Sequence, residues 1–363
     1  MKFSHRHYVP CLNWKKGEYD AVGQLSETAK ELITPLIEVP EIGYDFARHC
    51  PPKSIDDHLA PFAGRVRQKW ANRNAFVDAR HVASSGSMAD GTHPMEFVLN
   101  ELKDNACPAV PVTDCTRNSS YQDTVRKAIA RDKHGVCFRI SIQSAASRSI
   151  DSEIDELLKS LKVRAEQVDF ILDLGAPNFV PIASFSKAIF SIIGRLPHLK
   201  LWRTFTLLGT SFPASMGEVK RGVTCIPRNE WLLYKTVVNA LGVSGIRMPA
   251  FGDYAVNHPD QILLDPRLLK PSATIRYAVD DAWLIIKGTS VRQPNGFDQF
   301  YSHSATVCAS DFYMGSDYSA GDNYISQCAV KKAGKGNLTT WRQVGTNHHL
   351  EKVAMDVATL SYA

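Results

Sequence analysis

Charged side chains interrupt the apolar runs of this sequence at regular places, and these are the residues that could do chemistry. Glu38 sits in TPLIEV (34–39), Asp78 in NAFVDA (74–79), Asp114 at the end of AVPVTD (109–114) and Asp173 in DFILDL (169–174). An ionised group buried without a partner is expensive, so such residues must meet each other or a ligand. Glu38, Asp78 and Asp114 are oxygen donors of the kind that hold Mg2+ or Mn2+, and Asp173 is the candidate base. Lys15, Arg80 and Arg139 supply positive charge that could hold a phosphate or carboxylate, Arg in bidentate fashion. Together these types suit metal-assisted phosphoryl or phosphodiester chemistry, in which cations stabilise developing oxyanion charge. The same residues could instead form a structural ion-pair ring, and Asp at a strand end is also a common helix cap.

A second group lies in the last third. His348 and His349 are candidates for proton transfer, expected at a helix start capped by Thr346 or Asn347. Being adjacent, they cannot easily share one metal, and a packed and an exposed His is the plainer alternative. Trp341 and Arg342 could stack a base or another planar ligand, or serve as a core anchor and its surface neighbour. Asp253, in the Phe251–Tyr254 stretch, is placed to join the carboxylates or to stabilise a tight turn. Ser319 to Asp322 opens a helix with a glycine, which suits an anion cradle or a simple cap. Nucleophile motifs are missing: there is no GxSxG, no SxxK with its supporting motifs, and no HExxH. Cys11 and Cys137 fall mid-strand, where a thiol is usually inert packing.

The elements that must position these groups alternate. Eight β-type runs are HYVPCLN (7–13), TPLIEV, NAFVDA, AVPVTD, VCFRISI (136–142), DFILDL, WRTFTLLG (202–209) and SGIRMP (244–249). Amphipathic helices are expected between them, at 18–32, 54–70, 94–104, 119–132, 151–166, 181–194 and 227–241. Strand–helix alternation implies a parallel sheet with crossover helices. Neither GxGxxG nor GxxxxGK[ST] occurs, which removes support for dinucleotide-binding and P-loop folds. The expectation is an α/β fold: a (β/α)8 TIM-like barrel over residues 1–250, with an open α/β sheet as the competing arrangement. In a barrel the strand-end residues converge on one mouth, where ligands bind. Residues 251–363 then form a C-terminal α+β extension packed on the barrel. It holds a Pro-containing loop in 250–270, a hairpin at 273–279 and 282–288, and helices at 297–309, 322–332 and 347–360.

Composition is that of a globular protein: 363 residues, 44% hydrophobic and 22% charged. A net charge of +5, spread without a basic run, permits an anionic partner without demanding one. The 8 cysteines form no CxxC pair or zinc spacing, and reduced structural thiols are expected. No apolar leader or membrane-length apolar segment is seen, so a cytoplasmic protein with no membrane partner is expected.

The openings YVPCLNWKKGEYDAV and ITPLIEVPE resemble those of the beta protein family of phages, prophages and bacterial genomes. The resemblance returns in order at RNEWLLY (228–234), PAFGDYAVNHPD (249–260), RYAVDDAWLIIKG (276–288), SAGDNYISQCA (319–329) and TWRQVGTNHHL (340–350). That family implies a mobile-element, antiphage setting and no particular chemistry. Two functions are therefore carried. One is a metal-assisted hydrolase or transferase on a phosphate-bearing nucleotide or nucleic acid. The other is a non-catalytic sensor or partner subunit that binds an anionic ligand or a protein at the mouth. A neighbour-encoded defence protein and self-association are possible partners.

Overall fold

The computed structural model describes residues 2–44, 50–51, 53–83, 86–260 and 268–361. The loop expected in 250–270 lies partly outside them. The strands are β1 (Tyr8–Leu12), β2 (Leu36–Glu38), β3 (Ala75–Asp78), β4 (Ala109–Thr113), β5 (Val136–Ser141) and β6 (Val168–Asp173). They continue with β7 (Thr204–Leu208), β8 (Gly222–Pro227), β9 (Ala250–Asp253), β10 (Ser272–Ala278) and β11 (Ala282–Ser290). The helices of the first half are α1 (Lys16–Gly23), α2 (Glu27–Leu32), α3 (Ile55–Leu59), α4 (Phe62–Trp70), α5 (Pro94–Asp104), α6 (Ser119–Asp132) and α7 (Ile142–Ala145). Then come α8 (Ile150–Leu161), α9 (Ile182–Arg195), α10 (Asn229–Val243), α11 (Gln299–Cys308), α12 (Ala320–Ala329) and α13 (Leu338–Thr359).

Strands β1 to β7 and β9 close into a barrel in that order, and every pairing around it is parallel. The fold is thus the expected (β/α)8 barrel. Alternation along each strand sorts its side chains. In β5, Val136, Phe138 and Ile140 face the helices, while Cys137 joins Val9, Leu36, Phe76, Val112 and Ile171 inside the barrel. Arg139 shares the face of Cys137 and therefore points inward.

Two expectations need correction. The eighth strand is Ala250–Asp253, not SGIRMP at 244–249, so a boundary at residue 250 falls on the strand itself. Residues 244–249 lead up to it, and Arg247 there holds the carbonyls of Leu199 and Trp202. The extension is also not purely C-terminal. Strand β8, inserted between β7 and α10, forms the edge of a three-stranded antiparallel sheet with β11 and β10.

One face of that sheet packs on α11, α12 and α13 through Ile275, Tyr277, Ile286, Phe300, Ile325 and Trp341. The other packs through Trp283 and Ile285 onto Phe212 and Val256, which follow β7 and β9. Helix α13 returns the chain to the barrel. Its Leu350, Val353, Ala354 and Val357 join the barrel's own core, and Glu351 accepts bonds from the Ser26 backbone and hydroxyl at the start of α2. It thus takes the place of the helix that follows the eighth strand, after a long excursion.

Candidate functional site

The inward positions at the strand ends bring four of the expected residues together. Arg139 is the centre. Its Nη1 donates to Glu38 Oε1 at 2.6 Å and to Asp78 Oδ2 at 3.1 Å, and its Nε to Asp173 Oδ2 at 2.8 Å. Its Nη2 reaches the Tyr254 hydroxyl at 2.9 Å, which in turn donates to Asp173. Around this core, Arg80 pairs with Glu38 at 2.9 Å and His81 lies 3.2 Å from the same carboxylate. Arg117 bridges Asp78 at 3.1 Å and Asp114 at 2.7 Å. Burial opposes charge on Glu38, but Arg139, His81 and Arg80 hold its carboxyl well below the usual range. Arg117 does the same for Asp114.

This arrangement bears on the metal expectation. A divalent ion needs carboxylate oxygens at roughly 2.0–2.6 Å, and here a guanidinium occupies the position where those oxygens point. Among the described residues no three His, Cys, Asp or Glu side chains are grouped to hold a metal ion. Glu38, Asp78 and Asp114 as arranged therefore do not fit a resident Mg2+ or Mn2+. Their charges are matched by arginines.

The histidines are elsewhere. Helix α13 begins at Leu338 with Asn337 as its cap, so Thr346 and Asn347 are mid-helix and not capping residues. His348 and His349 are fully buried. His348 Nδ1 lies 2.8 Å from Asp322 and Nε2 lies 2.8 Å from the Ala278 carbonyl. Its ring stacks on Tyr277 with centroids 3.7 Å apart. His349 Nε2 lies 2.8 Å from Asp253, whose other oxygen accepts from Tyr8 at 2.5 Å. Asp253 shares the outward face of Phe251, so it joins the helical layer and not the mouth. Trp341 stacks on Phe300 at 4.4 Å and donates to the Lys335 carbonyl; it is a core anchor. Ser319 is a simple N-cap, bonded to Asp322.

The open space lies above the ion-pair ring. A cleft of about 650 Å3 is bounded by the loops after β1, β7 and β9 and by the added sheet and α13. Asn13, two residues past Cys11 on β1, lines it, and Cys11 touches Arg139 at 3.9 Å. Trp14 (φ 51°) and Ala255 (φ 51°) adopt left-handed backbone just past adjacent strands. Such strain in non-glycine residues must be held by surrounding structure. The turns set Lys15 and Lys16 on one wall and Val256 and Asn257 on the next.

Two arginines face this cleft, Arg276 from β10 and Arg342 from α13. Arg342 Nη1 holds the Val256 carbonyl at 2.6 Å and Asn257 Oδ1 at 2.9 Å. The Nε of Arg276 is shut off from solvent and has no hydrogen-bond partner among the described residues. Neither guanidinium forms an ion pair among those residues. Burial lowers the proton affinity of both, and the charge of Arg342 lowers that of Arg276 further. Beneath them Glu18 is buried and bonded by Asn257 and the Lys15 backbone. Burial pushes its carboxyl up to about 7. Lys15 also pairs with Glu41 at 3.7 Å.

Of the expected ligand-holding residues, Lys15 and Arg342 reach the cleft, and Arg80 and Arg139 belong to the ring below. Arg276, Glu18, Arg117 and Tyr254 were not anticipated. Arg276 had a signal: it is the one charge inside the apolar strand ATIRYAV, opposite in phase to Ala273, Ile275 and Tyr277. Arg117 lies three residues past Asp114, a pairing distance on a turn or helix. Among the described residues no helix is long and apolar enough to cross a membrane. No curated protein matches this chain. The model of the family described as Beta protein matches residues 8–355, nearly the whole chain, and the chain therefore belongs to the Beta protein family.

Proposed function

We propose that this protein binds a small anionic ligand, bearing phosphate or carboxylate, in the cleft above the barrel mouth, and acts as a sensor without turnover. The carrying observation is the pair Arg276 and Arg342: two half-buried arginines, close enough to repel each other, neither in an ion pair among the described residues, with the Arg276 Nε shut off from solvent and unpartnered among them. Two like charges drawn partly out of water, with only Glu18 beneath them to offset Arg342, are costly to keep together and mark a functional site better than a structural one. An anion between them relieves the repulsion and completes the hydrogen bonds of Arg276. The position at the carboxyl ends of barrel strands supports the same reading, as does a volume in the range of ligand pockets. In the antiphage setting that the family resemblance implies, occupancy of the cleft is the signal.

The test is thermal melting with inorganic phosphate and pyrophosphate. A ligand that binds only the folded state raises the melting temperature by mass action. Wild type should be stabilised, and Arg276→Gln and Arg342→Gln should not, with the ligand recovered unchanged. Equal stabilisation of all three proteins, or none of wild type, overturns the proposal. A rise with Mg2+ or Mn2+ alone that Asp78→Asn abolishes would restore the metal-assisted reading.

A further inference from the structure

We infer that the ligand is of dinucleotide class, with phosphates at two separated positions. This rests on the proposed function and extends it. The cleft does not end at the arginine pair. A second cavity of about 510 Å3 adjoins it, and the two share Ser215, Met216 and Leu269 as a common waist. The second lobe carries Arg221, Lys270 and Lys287 on its walls and no Asp or Glu among the described residues. None of these three cations forms a salt bridge among those residues. Lys287 Nζ is held by the carbonyls of Met216 at 2.5 Å and Val219 at 2.6 Å. That fixes its charge at the waist while leaving one of its three protons for a ligand.

In the first lobe Lys15, Lys16, Arg276 and Arg342 outnumber Glu18, Glu41 and Asp260, so the pattern is net cationic, apolar, cationic. Arg276 and Arg342 mark one end, Met216 and Leu269 the middle, and Arg221 with Lys270 the other. A mononucleotide satisfies one end only. A phosphorylated dinucleotide places a phosphate in each lobe and lays a base or sugar against the apolar waist, a contact tolerant of base identity. Each lobe alone has the volume of a small-molecule pocket. A long strand is less well matched, because a protein that tracks a polyanion shows a basic stripe and this chain carries only +5 with no basic run. Strand β8 and its flanks are inserted between β7 and α10, and this insertion brings Arg221 to the wall of the second lobe. The second lobe is therefore built by the part of the fold added to the barrel.

The experiment is calorimetric titration with mixed-sequence 5′-phosphorylated dinucleotides, nucleoside 5′-monophosphates and 5′-phosphorylated octanucleotides. It uses wild type and Arg221→Gln/Lys270→Gln. Both substituted residues are exposed, so folding should be unaffected, and a melting curve checks this. Wild type should bind dinucleotides at least tenfold tighter than monophosphates. The double variant should lose that advantage and keep its affinity for monophosphates. Equal affinity of the two ligands in wild type, or an unaltered advantage in the variant, overturns the second subsite and leaves the first standing. Octanucleotides binding tenfold tighter than dinucleotides would replace the inference with a strand-binding groove. If monophosphates and dinucleotides both fail while pyrophosphate binds, only this inference falls. If pyrophosphate fails too, the proposed function falls with it.

Discussion

Arg139 Nη1 donates to Glu38 Oε1 at 2.6 Å across the barrel interior, joining β5 to β2 in a closed ring of eight strands. Three carboxylates share this one guanidinium, so among the described residues its removal leaves Asp173 with no cation and Glu38 and Asp78 with only Arg80 and Arg117. Breaking a buried pair from one side costs about 3–5 kcal/mol, and Arg139→Ala should lose at least that at pH 7. The pH dependence gives a sharper check. Glu38 is depressed in the folded state, so its share of stability is present above the ordinary value of 4.5 and is lost as pH falls below it. Wild type should weaken between pH 5 and about 3. The variant, freed of repulsion as the carboxylates protonate, should hold steady or gain. Parallel denaturation midpoints for the two proteins over that range would sink this account.

Glu18 has the opposite sign. Its folded value near 7 lies above its ordinary 4.5, so the folded state holds a proton that the unfolded chain gives up. Stability is full below pH 4.5 and declines as pH rises to 7, after which no more is lost. Glu18→Gln removes the titration and should be the more stable protein at pH 8, by up to about 3 kcal/mol for a fully buried group. Ionised Glu18 also sits beneath the cleft with Arg342 and Lys15 above it, so it competes with an anion. Sulfate, which does not titrate here, should bind wild type several-fold more weakly at pH 8 than at pH 6. Glu18→Gln should show no such change. Identical pH profiles for sulfate in both proteins would remove Glu18 from the site.

Gly17 sets how closely α1 approaches α13. A Cβ there would lie 2.8 Å from Arg342 Cγ and 3.1 Å from the Thr339 carbonyl, so the helix as well as the side chain would have to shift. Gly17→Ala should cost about 1–3 kcal/mol by overpacking and weaken phosphate binding by displacing Arg342. Gly64 in α4 is the control, since a Cβ there meets nothing within 4 Å. Gly64→Ala should stabilise by roughly 0.5–1 kcal/mol and leave binding alone. Urea denaturation and phosphate titration of both variants decide the matter. Similar behaviour at the two positions would mean that this contact positions nothing.

The strand-end charges were legible because a charge inside an apolar run has few destinations, and period-two alternation sends Glu38, Asp78, Arg139 and Asp173 to one interior. That Arg139 neutralises the others, leaving no room for a metal, depends on distances that alternation does not carry. Strand β9 was misplaced because AFGD is short and holds a glycine, which a propensity reading counts against a strand. Gly252 is there for contact: a Cβ would come within 2.9 Å of the Val9 carbonyl. Strand β8 escaped notice because its GVTCIP pattern is largely exposed. The middle of α13 read as a helix start, since Thr346, Asn347, His348 and His349 look like capping and solvent-facing residues. All four are buried, and Asn347, His348 and His349 meet specific polar partners supplied by distant segments, which are invisible in the local pattern.

His349 provides a test that separates packing from chemistry. Burial, only partly offset by Asp253, lowers its proton affinity, so the ring is neutral and donates from Nε2 to Asp253. Tyr8 supplies the second donor at 2.5 Å, and Arg228 stands off at 3.9 Å. His349→Phe keeps the ring's bulk and leaves Asp253 with Tyr8 and the Ala255 backbone N–H on Oδ1 but, among the described residues, no close donor on Oδ2. A buried carboxylate oxygen left without its donor should cost about 1–3 kcal/mol. His349→Gln retains an amide donor and should recover part of it. Phosphate and dinucleotide affinities should stay within twofold of wild type in both variants at a temperature where they remain folded, because the ring is sealed from the cleft. A proton-transfer or ligand-binding His would behave in reverse, with stability kept and binding or turnover lost. Denaturation and titration on the same preparations separate the two outcomes.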